Sequence, residues 1–403
     1  LSRPVRQIAR GGQWSAMNLL QTLKSVVNRL NSRRDPLFAV PVTRQKAFLE
    51  SLPEPEDLLE RSYAQYRCQM MLERPILRVM YQAAAMLLLP IYQRHLLRRP
   101  VPRKEQAADA VFLSEDSKSL LPDSLRREFP TLCQAYDFER NIFLRKEDMA
   151  LLSMLRRRYP TAFYFRFKCM AKLAMYRYQY ELYHPKALIC DEEISYTSSF
   201  LTEYCHRLSV EHINVMHGEK LYYIRDSFFC FDRCYVWDEC YRRLFCDLRA
   251  EPMQFKVELP PSMLPWKKPS TPPEVDLTYY LQEEVVPGVY PRIAQALKTL
   301  QARGMVIAVR PHPIYTPPEA MRNFQGFLLE DRSISIEQSI LRTKCAASLY
   351  STVLLQALIN GVPVVIDDLT APERFAQLRS LRYIMLDKPH GLLSALLQEE
   401  SPT

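Results

Sequence analysis

From residue 276 to residue 366 the chain repeats one unit: a short apolar run, a polar cluster, then a helical stretch closed by glycine. Residues 276–281 lead to a helical pattern over 290–303 and Gly304. Residues 305–309 run into Arg310-Pro311-His312-Pro313. Residues 345–348 lead to a helix over 351–360, closed by Gly361 and followed by the apolar run 362–366. Strands that alternate with helices pair in parallel, because a parallel pair needs a long crossover and the helix supplies it. This part of the chain is therefore predicted to be an α/β domain with helices on both faces of a parallel sheet.

The same unit recurs earlier. Residues 186–190 read as a strand that runs into the acidic triplet Asp191, Glu192, Glu193. A helix over 195–208 follows, then a strand over 213–216 that ends at His217-Gly218-Glu219, and a strand–helix pair over 233–248. Between the two regions, residues 259–275 hold six prolines and no periodicity, the mark of a linker. The predicted organisation is a basic, mainly helical region over 1–105, a β/α domain over 106–260, a linker over 261–275 and a second β/α domain over 276–403. Within the first region, residues 14–30 and 57–97 carry helical periodicity.

Glycine narrows the function. The chain has 8 glycines against 30 prolines, and no G-x-G occurs anywhere in it. The dinucleotide fingerprint and the Walker A loop both need clustered residues without a Cβ, so kinases and ordinary nicotinamide dehydrogenases are excluded. Ten cysteines form no C-x-x-C pair and read as reduced thiols of a cytoplasmic protein. No metal site and no cofactor are expected. The longest apolar run, 79–92, is too short to cross a bilayer, and residues 1–34 lack a secretory pattern.

Charge is unevenly spread. Residues 1–105 carry 18 Lys and Arg against 8 Asp and Glu, while the remainder is nearly balanced. The excess points to an anionic partner, either a membrane surface or nucleic acid. A basic amphipathic helix over 14–30, flanked by Arg3, Arg6, Arg10, Arg33 and Arg34, suits an anionic membrane surface bound through residues 1–34, and equally a solvated helix packed on the protein. Localisation is then cytoplasmic and peripheral on the inner face of the membrane.

Ligands of parallel sheets sit beyond the carboxyl ends of the strands. There the second domain is expected to present Arg310 and His312 after one strand, and Ser348, Ser351 and Thr352 around the start of a helix. The helix terminus offers N–H groups and a positive dipole end, a phosphate site that needs no glycine. In the first domain His217 and Glu219 end one strand and Asp191 ends its neighbour, where a general base belongs.

The order of these elements resembles a known family. His-Gly after a first-domain strand, a Tyr-Val-Trp strand, Arg-Pro-His-Pro, and Ser-x-x-Ser-Thr-Val-Leu-Leu-x-Ala-Leu-x-x-Gly-x-Pro-Val-Val resemble bacterial GT-B glycosyltransferases of the capsule and lipopolysaccharide type, sialyltransferase-like or Kdo-transferase-like. The resemblance covers about residues 180–370. It implies two facing Rossmann-like domains, with His312, Ser351 and Thr352 on the phosphate of a nucleotide-sugar donor. Gln356 stands where many relatives carry a glutamate for the donor ribose. The absence of Asp-x-Asp suits a metal-independent reaction.

The leading expectation is an inverting glycosyltransferase that uses a CMP-sugar to extend a cell-surface polysaccharide, on a glycan or lipid-linked glycan acceptor. A polyol-phosphate transferase of the teichoic-acid type is the alternative on the same fold. Non-catalytic nucleic-acid binding through the basic region is a third reading. It is disfavoured because the polar strand-end clusters all lie outside that region.

Overall fold

The computed structural model describes residues 39–101, 107–114, 118–135, 142–284, 286–331 and 333–398. The amphipathic stretch 14–30, its flanking arginines and the expected membrane contact of residues 1–34 lie outside the described residues.

The described residues begin with three helices, α1 (Val42–Glu50), α2 (Leu58–Leu72) and α3 (Pro75–Leu97). The first sheet and its helices follow as β1 (Ala110–Phe112), α4 (Asp123–Glu128), β2 (Leu132–Gln134), α5 (Met149–Arg158), α6 (Phe163–Tyr183), β3 (Ala187–Cys190), α7 (Ser198–Arg207), β4 (Glu211–Val215), β5 (Arg233–Val236), α8 (Glu239–Asp247) and β6 (Phe255–Val257). The second is built from β7 (Leu277–Tyr280), α9 (Val289–Ala302), β8 (Ile307–Arg310), β9 (Leu328–Leu329), α10 (Ile336–Leu341), β10 (Ala346–Ser348), α11 (Thr352–Ile359), β11 (Val364–Ile366), α12 (Pro372–Ser380), β12 (Gly391–Leu392) and α13 (Leu393–Gln398).

Both sheets have six strands, all parallel, in the orders β2-β1-β3-β4-β5-β6 and β12-β11-β10-β7-β8-β9. The expected architecture of two Rossmann-like α/β domains is present. Strand residues alternate between two apolar layers. Ala110, Phe112, Ala187 and Ile189 pack with Leu121, Leu125 and Phe129 on one face. Val111, Leu188 and Cys190 join α2, α6 and α7 on the other. A parallel sheet covered on both faces needs such two-sided burial, which is why these strands read as continuous apolar runs.

The periodic stretch 57–97 is not one helix. Glu73 and Arg74 have extended backbone and Pro75 opens α3, since a residue before proline is pushed out of the α region. The stretch 147–183 likewise breaks around Pro160 into α5 and α6. Helix α3 runs beyond both ends of the apolar run 79–92, and at 23 residues it is long and apolar enough to cross a bilayer by length and composition. That corrects the expectation that no segment is. Residues 383–386 do not form a strand: a 3-10 turn occupies Ile384–Asp387, and the edge strand comes later as β12.

Helices α1 and α2 are built into the core of the first sheet. Arg61 pairs with Glu251 at 2.9 Å, and Gln65 donates to the carbonyls of Glu193 and Arg225. Loops and helices around the two sheets, and the linker, also contact one another. Tyr222 N–H donates to Leu381 O at 2.6 Å, Lys388 pairs with Asp238 at 2.8 Å, and Gln356 donates to Ser262 O at 3.1 Å.

One buried ion pair fastens the helices behind the first sheet. Arg177 of α6 donates through Nε to Asp148, just before α5, and through Nη1 to Glu181, while Tyr204 O–H donates to Asp148 as well. Asp148 is fully enclosed. Removing one partner strands the other as a buried charge, at about 3–5 kcal/mol. Arg177→Met, which leaves enclosed Asp148 without its cation, should therefore lower the unfolding free energy by about that amount in urea titration; a loss below about 1 kcal/mol would show that the pair holds little.

Candidate active site

The first sheet reverses its strand order between β1 and β3, and the crevice at such a point is where ligands of doubly wound folds bind. Asp191, one residue past β3, lies there. Its Oδ2 accepts a hydrogen bond from Ser114 Oγ, one residue beyond the Leu113 that follows β1, at 2.8 Å. Its carboxylate thus joins the two lips of the crevice.

Glu193, third of the acidic triplet, turns inward and is completely buried. Asn214 of β4 donates to its Oε2 at 3.0 Å, and Lys220 Nζ lies 2.5 Å from Oε1. Burial alone would raise this carboxyl. The Lys220 ammonium, and after it His217, instead hold it below the ordinary value. His217 lies two residues past β4, about one-third exposed, with Nδ1 3.4 Å from Glu193 Oε1. That is a close electrostatic contact rather than a formed hydrogen bond, and apo catalytic pairs are commonly this loose. A carboxylate behind Nδ1 favours the proton there and leaves the Nε2 lone pair on the opposite edge of the ring. Gly218 has φ +64°, and a Cβ built on it would meet nothing within 4 Å, so the turn both needs glycine and faces open space.

Glu219 differs in kind. The residue is half-buried, but its carboxyl end is enclosed: Tyr241 O–H donates to Oε1 at 2.9 Å, while buried Oε2 has no hydrogen-bond partner. Burial pushes this carboxyl up to about 8, so near neutral pH it is mostly protonated. Tyr383 lies close by, its phenol raised by burial and then by the Glu219 carboxyl. Ser351 N–H donates to Tyr383 Oη at 3.0 Å. Tyr383 thus bonds to the amino end of α11 in the second sheet and interacts electrostatically with Glu219 of the first.

The second sheet reverses order between β7 and β10, so the loop after β10 borders its crevice. Ser351 is the N-cap of α11, its Oγ accepting from Val353 N–H at 3.2 Å. Thr352 opens the helix and is half-buried. Ser348 is wholly buried and donates to Tyr280 O at 2.9 Å, which ties β10 to β7. Arg310 donates to buried Glu330 at 3.1 Å and to Ile334 O at 2.8 Å. Its guanidinium is occupied in supporting the β8–β9 edge. His312 accepts at Nδ1 from Ile314 N–H and Tyr315 N–H, at 3.1 and 3.2 Å, so Nε2 carries the proton. Burial lowers its pKa, which keeps the ring a neutral donor.

Of the five residues expected on a donor phosphate, Ser348 and Arg310 are therefore engaged in holding strands. Strand ends must satisfy their own backbone first. His312 keeps its Nε2 donor, Thr352 stands half-buried at the first position of α11, and Ser351 supplies the cap that orders the helix. Glu193, Lys220 and Tyr383 were not singled out from sequence. Only the adjacency of Glu193 to Asp191 signalled it, and nothing in the pattern marked which acid of the triplet turns inward. Among the described residues no three His, Cys, Asp or Glu side chains group so as to hold a metal.

No protein-family model matches the chain, and no curated protein matches it. Solved structures do resemble it in arrangement. The wall teichoic acid polymerase TagF aligns over 81% of this chain and 89% of its own, with 11% identity and a TM-score of 0.42. The UDP-GlcNAc 2-epimerase of Neisseria meningitidis aligns over 68% of this chain and 85% of its own, with 10% identity and a TM-score of 0.41. TarM of S. aureus aligns over 53% and 54%, with 12% identity and a TM-score of 0.33. Likeness at this level is a likeness of sheets and helices and carries nothing about chemistry.

The enclosed Glu219 has a consequence for stability. The unfolded chain releases this proton near 4.5, whereas the folded protein keeps it to about pH 8. Between those values the native state binds more protons, so stability falls as pH rises, by up to about 1.4 kcal/mol per pH unit. Glu219→Gln should flatten that slope in denaturant titrations from pH 5 to 8. An unchanged slope would mean that the carboxyl ionises normally.

Proposed function

We propose that the chain is a metal-independent transferase that moves a group from a nucleotide-activated donor to a hydroxyl acceptor, and that the group is a sugar joined to a cell-surface polysaccharide with inversion. The supporting observations are the Ser351 N–H bond to Tyr383 and the electrostatic interaction of Tyr383 with Glu219, which link the strand-end turn carrying His217 to the amino end of α11. In this reading His312 and Thr352 donate to the donor phosphate. The α11 terminus adds its dipole, the preorganised electrostatics that usually dominate such transfers.

His217, rather than Glu219, is the proposed base. A base must expose a lone pair, and Glu219 is enclosed and mostly protonated, whereas His217 is partly exposed and backed by an anionic carboxylate. The acceptor O–H proton passes to His217 Nε2, and the oxygen attacks the anomeric carbon from the face opposite the nucleotide. The bond from that carbon to the phosphate oxygen breaks, and the electron pair leaves with CMP. Asp191, at the first-sheet crevice, orients the acceptor.

Polyol-phosphate transfer is the second reading, favoured specifically by a histidine base. There the acceptor oxygen attacks phosphorus instead, and the released nucleotide is again CMP. The two differ in where phosphorus goes.

Incubation with a CMP-sugar or a CDP-polyol, in EDTA, separates the readings. Sugar transfer leaves no donor phosphorus in the polymer, and polyol transfer leaves one phosphorus per unit, countable by ³¹P NMR. CMP or a CMP-sugar should also raise the melting temperature without divalent metal. A shift with UDP or GDP donors alone would overturn the donor assignment.

His217→Ala should leave donor affinity nearly intact and cut turnover about 100-fold or more, the usual scale for a lost general base. Glu219→Gln should keep turnover within a few-fold, since the wild-type carboxyl is already neutral. A large loss in Glu219→Gln with an active His217→Ala would reverse the assignment.

A further inference from the structure

Helix α3 is held on one side only. Leu77, Ala85, Leu89 and Leu96 are buried, Gln82 donates to Tyr66 Oη at 2.7 Å and accepts from Tyr164 N–H, and Tyr81 stacks on Tyr164. With that face packed on α2 and α6, the helix does not cross a bilayer in this fold, although its length would allow it.

Its other face is bare. The exposed positions from 75 to 91 are Pro75, Ile76, Val79, Ala83, Met86, Leu87, Pro90 and Ile91, a continuous helical stripe without one polar residue. Ile76, Val79, Leu87 and Ile91 are each 62–68% exposed. From Ile76 to Ile91 the stripe is about 22 Å long at 1.5 Å per residue. A soluble chain rarely leaves a contiguous apolar surface of this kind without a use.

Charge selects the occupant. The stripe ends in exposed Arg94, His95 and Arg98, and from Pro75 to Lys104 the sequence has no Asp or Glu but holds Arg78, Arg94, Arg98, Arg99, Arg103 and Lys104. Protein interfaces are only a little more apolar than the rest of a surface and carry polar groups throughout. An apolar face with a cationic end and no acid is instead the signature of a helix lying in the headgroup region of an anionic bilayer.

We infer that the exposed face of α3 docks the protein on an anionic membrane surface, with the helix in the plane of the bilayer. Ile76, Leu87 and Ile91 enter the acyl boundary, and Arg94 and Arg98 meet lipid phosphates, to which cations near such a surface are attracted. This surface is separate from residues 1–34 and does not depend on the transfer chemistry.

The test is co-sedimentation of the full chain with vesicles of phosphatidylcholine containing phosphatidylglycerol. Wild type should bind, and less so to phosphatidylcholine alone. Ile76→Asp, Leu87→Asp and Ile91→Asp together should weaken binding at least ten-fold, with circular dichroism and melting temperature unchanged because all three sites are exposed. Arg94→Ala with Arg98→Ala should remove the dependence on phosphatidylglycerol. Undiminished binding by the triple variant would overturn the inference. So would a triple variant that turns a dimer into a monomer in sedimentation velocity, which would make a second copy the occupant. Faster tryptic cleavage at Arg33 or Arg34 in the triple variant, without vesicles, would make the amino-terminal segment the occupant and overturn it equally.

Discussion

A carboxylate with no access to water organises the first half of the cleft. Glu193 must be compensated where it sits, because a buried ion costs several kcal/mol unless it is paired and hydrogen-bonded. Asn214 reaches it from β4, Lys220 folds back onto it from beyond the strand, and His217 comes within 3.4 Å. Meeting that requirement fixes the path of the chain from 214 to 220. Gly218 makes the turn geometrically available, and Glu219 is delivered to Tyr241 as a consequence. One electrostatic demand thus sets the orientation of an imidazole, the burial of a second carboxyl and the contact with Tyr383.

The second sheet solves its strand ends by a different route. Asp367 takes in Tyr279, Leu369, Thr370 and the Thr370 hydroxyl, Ser348 answers Tyr280, and Glu330 answers Arg310. These polar residues close loops, and few are left to meet a ligand. What remains toward the edge is a neutral histidine with its proton on Nε2 and a helix whose first turn is capped. On the proposed reading, the donor phosphate meets aligned dipoles there rather than a matched cation, and affinity should depend on backbone order more than on any one charge.

Much of this was legible in the residues. The alternation after 276 carries a parallel sheet, and Ser351 and Gly361 mark the two ends of α11 as the cap rules require. Three features were not legible. Strands β2 and β6 are three residues long, too short to show a period. The break before α3 was hidden because apolar spacing continues across Pro75. In the site, Asp191 and Glu193 are alternatives that sequence cannot rank: they stand two residues apart in one acidic triplet, yet Asp191 bonds across the crevice and Glu193 turns into the core. Glu219 and His217 posed the same problem. Their roles separate only once it is known which of them lost its solvent.

The central claim is that the Glu193 carboxylate sets the proton of His217 on Nδ1 and so leaves Nε2 free to accept one. Nitrogen-15 NMR of the imidazoles in the native protein reads this directly, with the His217 signals assigned by their loss in His217→Gln. The account predicts a neutral ring protonated at Nδ1 at alkaline pH, and loss of that preference in Glu193→Gln. A His217 ring protonated at Nε2, or one indifferent to Glu193→Gln, would contradict it.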